Sequence, residues 1–235
     1  MEKWEALLNE RLANHQIILN DQQLNQFAKY ADLLIEWNQK MNLTAIDSIE
    51  EIYEKHFYDC LLSSFDIDYH GSLADVGSGA GFPGVVLKIV YPQLQLSIIE
   101  PLGKRCTFLK VLCETLGLSD VTIINERSED YARDHREGFD FVTARAVANL
   151  SMLVELCGAL VAKGGYFIAL KGEQGEVEAK AAQQAVKLMG LKLVNTALRT
   201  YSGNMRVNLI YLKEKVTPAK YPRSFAKIKK QHLGE

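Results

Sequence analysis

Residues 75 to 84 read Asp75-Val76-Gly77-Ser78-Gly79-Ala80-Gly81-Phe82-Pro83-Gly84, with four glycines in eight positions from Gly77 onward. Glycines at this density weaken a structure unless something uses them, and a close-lying ligand is the natural user. The spacing is GxGxG, and Phe82 stands where the dinucleotide fingerprint GxGxxG would need its third glycine. Asp75 sits two residues ahead of the loop, where a carboxylate would repel a pyrophosphate but suits an ammonium group. Glu100 follows 23 residues after Gly77, at the end of a β-rich run, where an acid can accept both hydroxyls of a nucleoside ribose.

The loop as a whole resembles the first motif of class I S-adenosylmethionine (AdoMet) methyltransferases, with a nicotinamide-dependent oxidoreductase on the same scaffold as the alternative. Further along lie Ser128-Glu129-Asp130, where a polar side chain or backbone N–H would meet an adenine edge; the triplet is equally an ordinary helix start. Arg145 is the one charged side chain in Phe141-Val142-Thr143-Ala144-Arg145-Ala146-Val147, suited to clamp a carboxylate or phosphate and so to position substrate. Lys171-Gly172 ends the next β-rich run and is a candidate phosphate contact. The Asn-Pro-Pro-Tyr type sequence associated with exocyclic amines is absent, and no Pro-Cys occurs, so thiolate attack on a pyrimidine is not expected. An acceptor such as guanine N7, whose lone pair is already free, needs only alignment with the sulfonium methyl.

These groups need a scaffold, and the chain supplies one from Gly71 onward. SLADV, LQLSII, VTIIN, FDFVTA and GYFIAL alternate with helical segments at 82–90, 102–116, 149–161 and 173–189. Such alternation specifies an α/β fold with a parallel sheet covered on both faces. LKLVNTALRT and RVNLIYLK have no helix between them and read as a terminal hairpin, antiparallel to the rest. Residues 1–64 read as a helical region: one stripe holds Trp4, Leu7, Leu8 and Leu12, and another runs from Leu24 to Ile35 with Asp21 as N-cap. A third helix begins at Ser48, with Glu51 at the capping-box spacing. The expected division is thus 1–64 helical, 65–213 catalytic, and 214–235 a basic arm without clear periodicity.

The 235 residues are 48% hydrophobic and 24% charged, with a formal charge of -2, which excludes a disordered or collagenous chain. No apolar run approaches a membrane span, and the charged start MEKWEALLNERL is unlike a secretory signal, so a cytoplasmic protein is expected. Cys60, Cys106, Cys113 and Cys157 lack CxxC pairing and are expected to be buried thiols, with no metal site. Charge is uneven: residues 1–64 carry a net -6, residues 65–213 balance, and residues 214–235 carry +4. A polyanion would therefore be met locally, by the tail and the catalytic rim.

Several elements together resemble the RsmG (GidB) family: Asn42-Leu43-Thr44, His56-Phe57-Tyr58-Asp59, Asp75 to Gly84, Leu102-Gly103-Lys104-Arg105, Arg145-Ala146, Leu170-Lys171-Gly172 and Tyr221-Pro222-Arg223. The resemblance implies a class I Rossmann-like methyltransferase with a mostly parallel seven-stranded sheet, an antiparallel last strand and an N-terminal helical extension. It implies methyl transfer from AdoMet to a guanine N7 in the 530 loop of 16S ribosomal RNA, on the RNA or the small ribosomal subunit; apart from the resemblance, a monomer is expected. The alternatives are another RNA or a small molecule as acceptor. Cofactor contacts carry over to Gly77, Phe82, Ser128, Glu129 and Arg145, beside Asp75, Gly79 and Glu100 from the residues themselves. Lys104, Arg105, Lys171, Arg206, Arg223, Lys227, Lys229 and Lys230 are the expected RNA contacts. The chain departs from the family at Cys60, often Ser, and over Ser224 to Lys230, often a Gly- and Pro-containing tail. His56 and Asp59, three apart on one helix, are read as a histidine satisfied by a local carboxylate.

Overall fold

The computed structural model describes residues 3–234. Seven strands form one sheet: β1 (Ser72–Val76), β2 (Gln95–Ile99), β3 (Val121–Ile124), β4 (Phe139–Arg145), β5 (Val161–Gly172), β6 (Leu191–Tyr201) and β7 (Asn204–Lys213). Their order is β3-β2-β1-β4-β5-β7-β6, and β1 to β5 pair in parallel. The expected hairpin forms, but only β7 runs against the other six strands; β6, beyond it, again runs in the direction of β5. The antiparallel last strand therefore enters between β5 and β6, and Lys171 and Gly172 face Val207 and Arg206 across the ladder.

Because side chains alternate across a strand, the inner strands feed two cores. Leu73, Ile98, Phe141 and Ile168 pack with the N-terminal helices and with helices Gly84–Val90 and Gly103–Leu116. Ala74, Ile99, Val142 and Phe167 pack on the opposite face under helix Leu150–Gly158 and the tail. The N-terminal region thus serves as one of the layers that cover the sheet.

Helix Asp21–Met41 is capped by Asn20 rather than Asp21: the Asn20 side chain accepts from the Gln23 N–H, and Gln23 accepts from the Asn20 N–H, both at 2.9 Å. The reciprocal box selects the residue three before Gln23. Ser48 caps as expected, but the helix it starts passes into a π-helical turn over Ile52–Tyr58. The tail is not an irregular arm. It carries helix Phe225–Lys230 and buries Tyr221, Ile228 and Leu233 in the second core. All four cysteines are free and buried, and no described helix is long and apolar enough to cross a membrane.

Candidate functional site

The glycine loop leaves the carboxyl end of β1 with Gly77, Gly79 and Gly81 all at positive φ. Asp75 is fully buried behind it. Its Oδ2 accepts from the Ser78 hydroxyl at 2.5 Å and the Gly84 N–H at 2.9 Å, and its Oδ1 from the Thr143 hydroxyl at 3.0 Å. A Cβ on Gly84 would lie 2.7 Å from the Asp75 side chain, so only glycine admits that bond. Burial pushes the Asp75 carboxyl up to about 6 despite its donors. The residue thus fixes the shape of the loop from behind, whereas its sequence position suggested direct contact with an ammonium group.

Glu100, 1% exposed, ties the next turn to this loop. Its Oε2 accepts from the Gly79 N–H and its Oε1 from the Leu102 N–H, both at 3.0 Å. Each carboxylate oxygen keeps a second lone pair for a ribose hydroxyl. In front lies a cavity of about 370 Å³, whose lining includes Gly77, Glu100, Ser128, Glu129, Val147 and Phe225. Ser128 and Glu129 are buried there, and Glu129 Oε1 has no hydrogen-bond partner. An orphaned buried acceptor in the same cavity as the Glu100 carboxylate suits an adenosine-bearing cofactor such as AdoMet, whose amino edge can supply the missing donor.

A second cavity, also about 370 Å³, opens at the ends of β4, β5 and β7; Arg145, Lys171, Arg206, His56 and Asp59 line it. Both cavities share Ala146, which stands at φ 56° immediately after Arg145. Arg145 Nη1 donates to Asp59 Oδ2 at 2.9 Å and to the Lys55 carbonyl at 3.3 Å, and Arg206 Nε donates to Asp59 Oδ1 at 2.6 Å. Asp59, the residue after the π-helical turn that contains His56, therefore binds two arginines and does not pair with His56; both side chains turn toward Arg145. His56 Nδ1 lies 3.2 Å from Arg145 Nη2. A guanidinium only donates, so Nδ1 accepts, and Nε2–H donates to Thr44 Oγ1 at 2.8 Å. The Lys55 carbonyl, also 3.2 Å from Nδ1, already accepts from Arg145. Burial, reinforced by Arg145, pushes the imidazole down to about 3.

Phe82 lies outside the first cavity's lining. Its ring packs under His56 with centroids 4.4 Å apart and under the Arg145 guanidinium at 4.7 Å. Among the expected RNA contacts, Lys104 is exposed at the start of helix Gly103–Leu116, while Arg105 lines the first cavity 3.7 Å from Glu100. Lys171 is paired with Glu178 at 2.7 Å, and Lys227, Lys229 and Lys230 are exposed on the tail helix. Arg223 has a different place from the one expected: its guanidinium bonds both oxygens of the fully buried Glu155, at 2.7 to 3.1 Å. It anchors the tail because an unpaired Glu155 could not stay buried.

Sequence reasoning missed Tyr30, Thr143 and Phe225. Tyr30 sits on an apolar helix stripe and Phe225 in a stretch without periodicity, so neither carries a local signal. Thr143 faces Asp75 only because β4 pairs beside β1.

A parallel sheet with an inserted antiparallel strand, a glycine loop after β1 and an acid after β2 define a class I Rossmann-like methyltransferase. The fold is shared with the ribosomal protein L11 methylase of Lactobacillus delbrueckii subsp. bulgaricus (TM-score 0.53, 14% identity, covering 68% of this chain and 79% of that one). It is shared too with M. jannaschii TYW2 in complex with AdoMet (TM-score 0.56, 14% identity, covering 72% and 79%). Residues 23–206 match the family model for rRNA small subunit methyltransferase G (GidB). The chain is 46% identical over 223 residues to the ribosomal RNA small subunit methyltransferase G of Staphylococcus carnosus, covering 92% of this chain and 93% of that protein. The chain belongs to the rRNA small subunit methyltransferase G family.

Proposed function

We propose that the protein, as a cytoplasmic monomer, transfers the methyl group of AdoMet to N7 of a guanine in the 530 loop of 16S ribosomal RNA, presented on the RNA or the small subunit. The observation that carries this reading is the pair of cavities meeting at Ala146. One offers carboxylates and a serine to a nucleoside; the other offers four basic side chains, Lys55, Arg145, Lys171 and Arg206, to an RNA segment.

Bound AdoMet supplies an electrophilic methyl on a sulfonium. The Glu100 carboxylate would hold the ribose, and Ser128 and Glu129 the adenine edge. Gly77 brings the backbone against the donor, and Arg145 orients both sides of the Ala146 junction. The candidate bases that line the second cavity are otherwise engaged: His56 is held neutral with a pKa near 3, Asp59 is bound by two guanidinium groups, and Glu178 is paired with Lys171. An acceptor with an exocyclic amine or hydroxyl would call for such a base, whereas N7 does not. Catalysis then rests on alignment of an unpaired base splayed from its stack.

The experiment is transfer of labelled methyl from AdoMet to small subunits lacking their native modification, followed by chemical cleavage at N7-methylguanine. A single cut in the 530 loop is expected. Label on another nucleotide would overturn the acceptor while leaving the cofactor reading in place.

A further inference from the structure

The cofactor cleft contains a residue from outside the strand–helix alternation. Phe225, at the start of the tail helix, lines the same cavity as Ser128 and Glu129. Its ring lies under the guanidinium of Arg127, 4.2 Å from Cζ to the ring centroid, and Arg127 immediately precedes Ser128. Phe225 falls beyond residues 23–206, where the family match ends.

The segment that carries it is tied down on three sides. Arg223 bonds the buried Glu155 on helix Leu150–Gly158. Arg136 donates to the Tyr221 and Thr217 carbonyls at 2.6 and 2.7 Å, and Ile228 is fully buried in the second core. A free arm would have none of these anchors. The ring of Phe225 is therefore fixed in place before any ligand arrives, and the ordering cost of binding is correspondingly small.

The cleft chemistry identifies what the ring would meet. Leu102, 52% exposed, lines the same cavity, so Phe225 and Leu102 are among the apolar groups that border a space also containing the unpartnered Glu129 Oε1. A planar aromatic group bearing an amino donor satisfies both, and adenine is that group. We infer that Phe225, clamped by Arg127, is a cofactor-binding residue that forms the wall for the adenine of AdoMet. The C-terminal segment thereby becomes part of the donor site. This rests on the reading that AdoMet occupies the cleft.

Calorimetry on the full-length chain tests it. Phe225→Ala is expected to weaken AdoMet binding about tenfold, the scale of one lost base–aromatic contact. It should weaken 5′-methylthioadenosine by the same factor, while Phe225→Tyr restores both. Should Phe225→Ala fail to fold by circular dichroism, Phe225→Leu keeps the apolar bulk without the π face and is expected to show the same loss. Unchanged affinity in a folded variant without the ring would overturn the role of Phe225. No AdoMet binding by the unaltered protein would overturn the reading beneath it.

Discussion

The hydroxyl of Tyr30, on the second N-terminal helix, donates to the carbonyl of Ala80 in the glycine loop at 2.6 Å. Both groups are buried, and the same helix reaches the end of helix Gly84–Val90 through Gln23, whose side-chain amide donates to the Ile89 and Val90 carbonyls. The N-terminal region therefore holds the cofactor loop from below. Tyr30→Phe removes one donor and leaves a buried carbonyl unsatisfied, at a cost of about 1–3 kcal/mol. A lower urea midpoint and weaker AdoMet binding are expected together. Loss of stability with full affinity would show that the loop keeps its shape without this bond.

What the sequence disclosed and what it hid follow from the range of each interaction. The glycine loop and Glu100 are legible because a strand, a tight turn and a helix leave their marks within thirty residues. The partners of Arg145 are not: Asp59 lies 86 positions earlier, and only the layering of the N-terminal helices on the sheet brings it near. The i, i+3 spacing of His56 and Asp59 pointed to a mutual pair because it assumed one continuous α-helix; the segment is π-helical up to Tyr58, and both side chains meet a third residue, Arg145, instead. The tail reads as a basic arm without clear periodicity because its order comes from Glu155 and Arg136, far away in sequence and near only in the fold.

Glu100 accepts two backbone N–H groups and stands ready for two hydroxyls. Glu100→Ala should cost about 1–3 kcal/mol of AdoMet binding, a fall of roughly 5- to 150-fold in affinity. Isothermal titration would measure it, and an unchanged Kd would remove Glu100 from the ribose site.

Arg223 was expected on an RNA-facing surface and is found holding a buried carboxylate. Arg223→Met leaves Glu155 uncompensated and should destabilise the protein by about 3–5 kcal/mol. The double variant with Glu155→Leu should recover much of that loss, since no isolated charge remains. Denaturant unfolding of the single and double variants decides it; a surface RNA contact would leave both midpoints where they began.

His56 offers a test of the second cavity's electrostatics. Its folded pKa, near 3, lies below the ordinary value of 6.5, so between those limits the unfolded chain binds the extra proton. Stability from this group is full above about pH 6.5 and declines as pH falls, with a slope of at most about 1.4 kcal/mol per pH unit. Asp75, raised to about 6, acts in the opposite sense over part of the range, so the bulk pH profile alone would mislead. Nitrogen-15 chemical shifts of the imidazole separate the two. They should report a neutral ring protonated on Nε2 and unchanged from pH 8 to pH 5, whereas titration near 6.5 would show that Arg145 does not face Nδ1 in solution.

Lys227 and Lys229 lie on the exposed side of the helix whose first residue lines the cofactor cleft, with Lys230 beside them. RNA engaged there would release counterions, and each phosphate contact on a single strand contributes about 0.7 to the slope of log K against log salt. Replacing all three lysines by glutamine should therefore flatten the salt dependence of RNA binding by as much as about 2. AdoMet binding should show little salt dependence, because it involves no phosphate contacts. Filter binding across a salt series, in parallel with calorimetry for AdoMet, measures both quantities. An unaltered RNA slope in the triple variant would move the docking surface to Lys104 and the rim of the second cavity, and would leave the tail with the single task of closing the cofactor cleft.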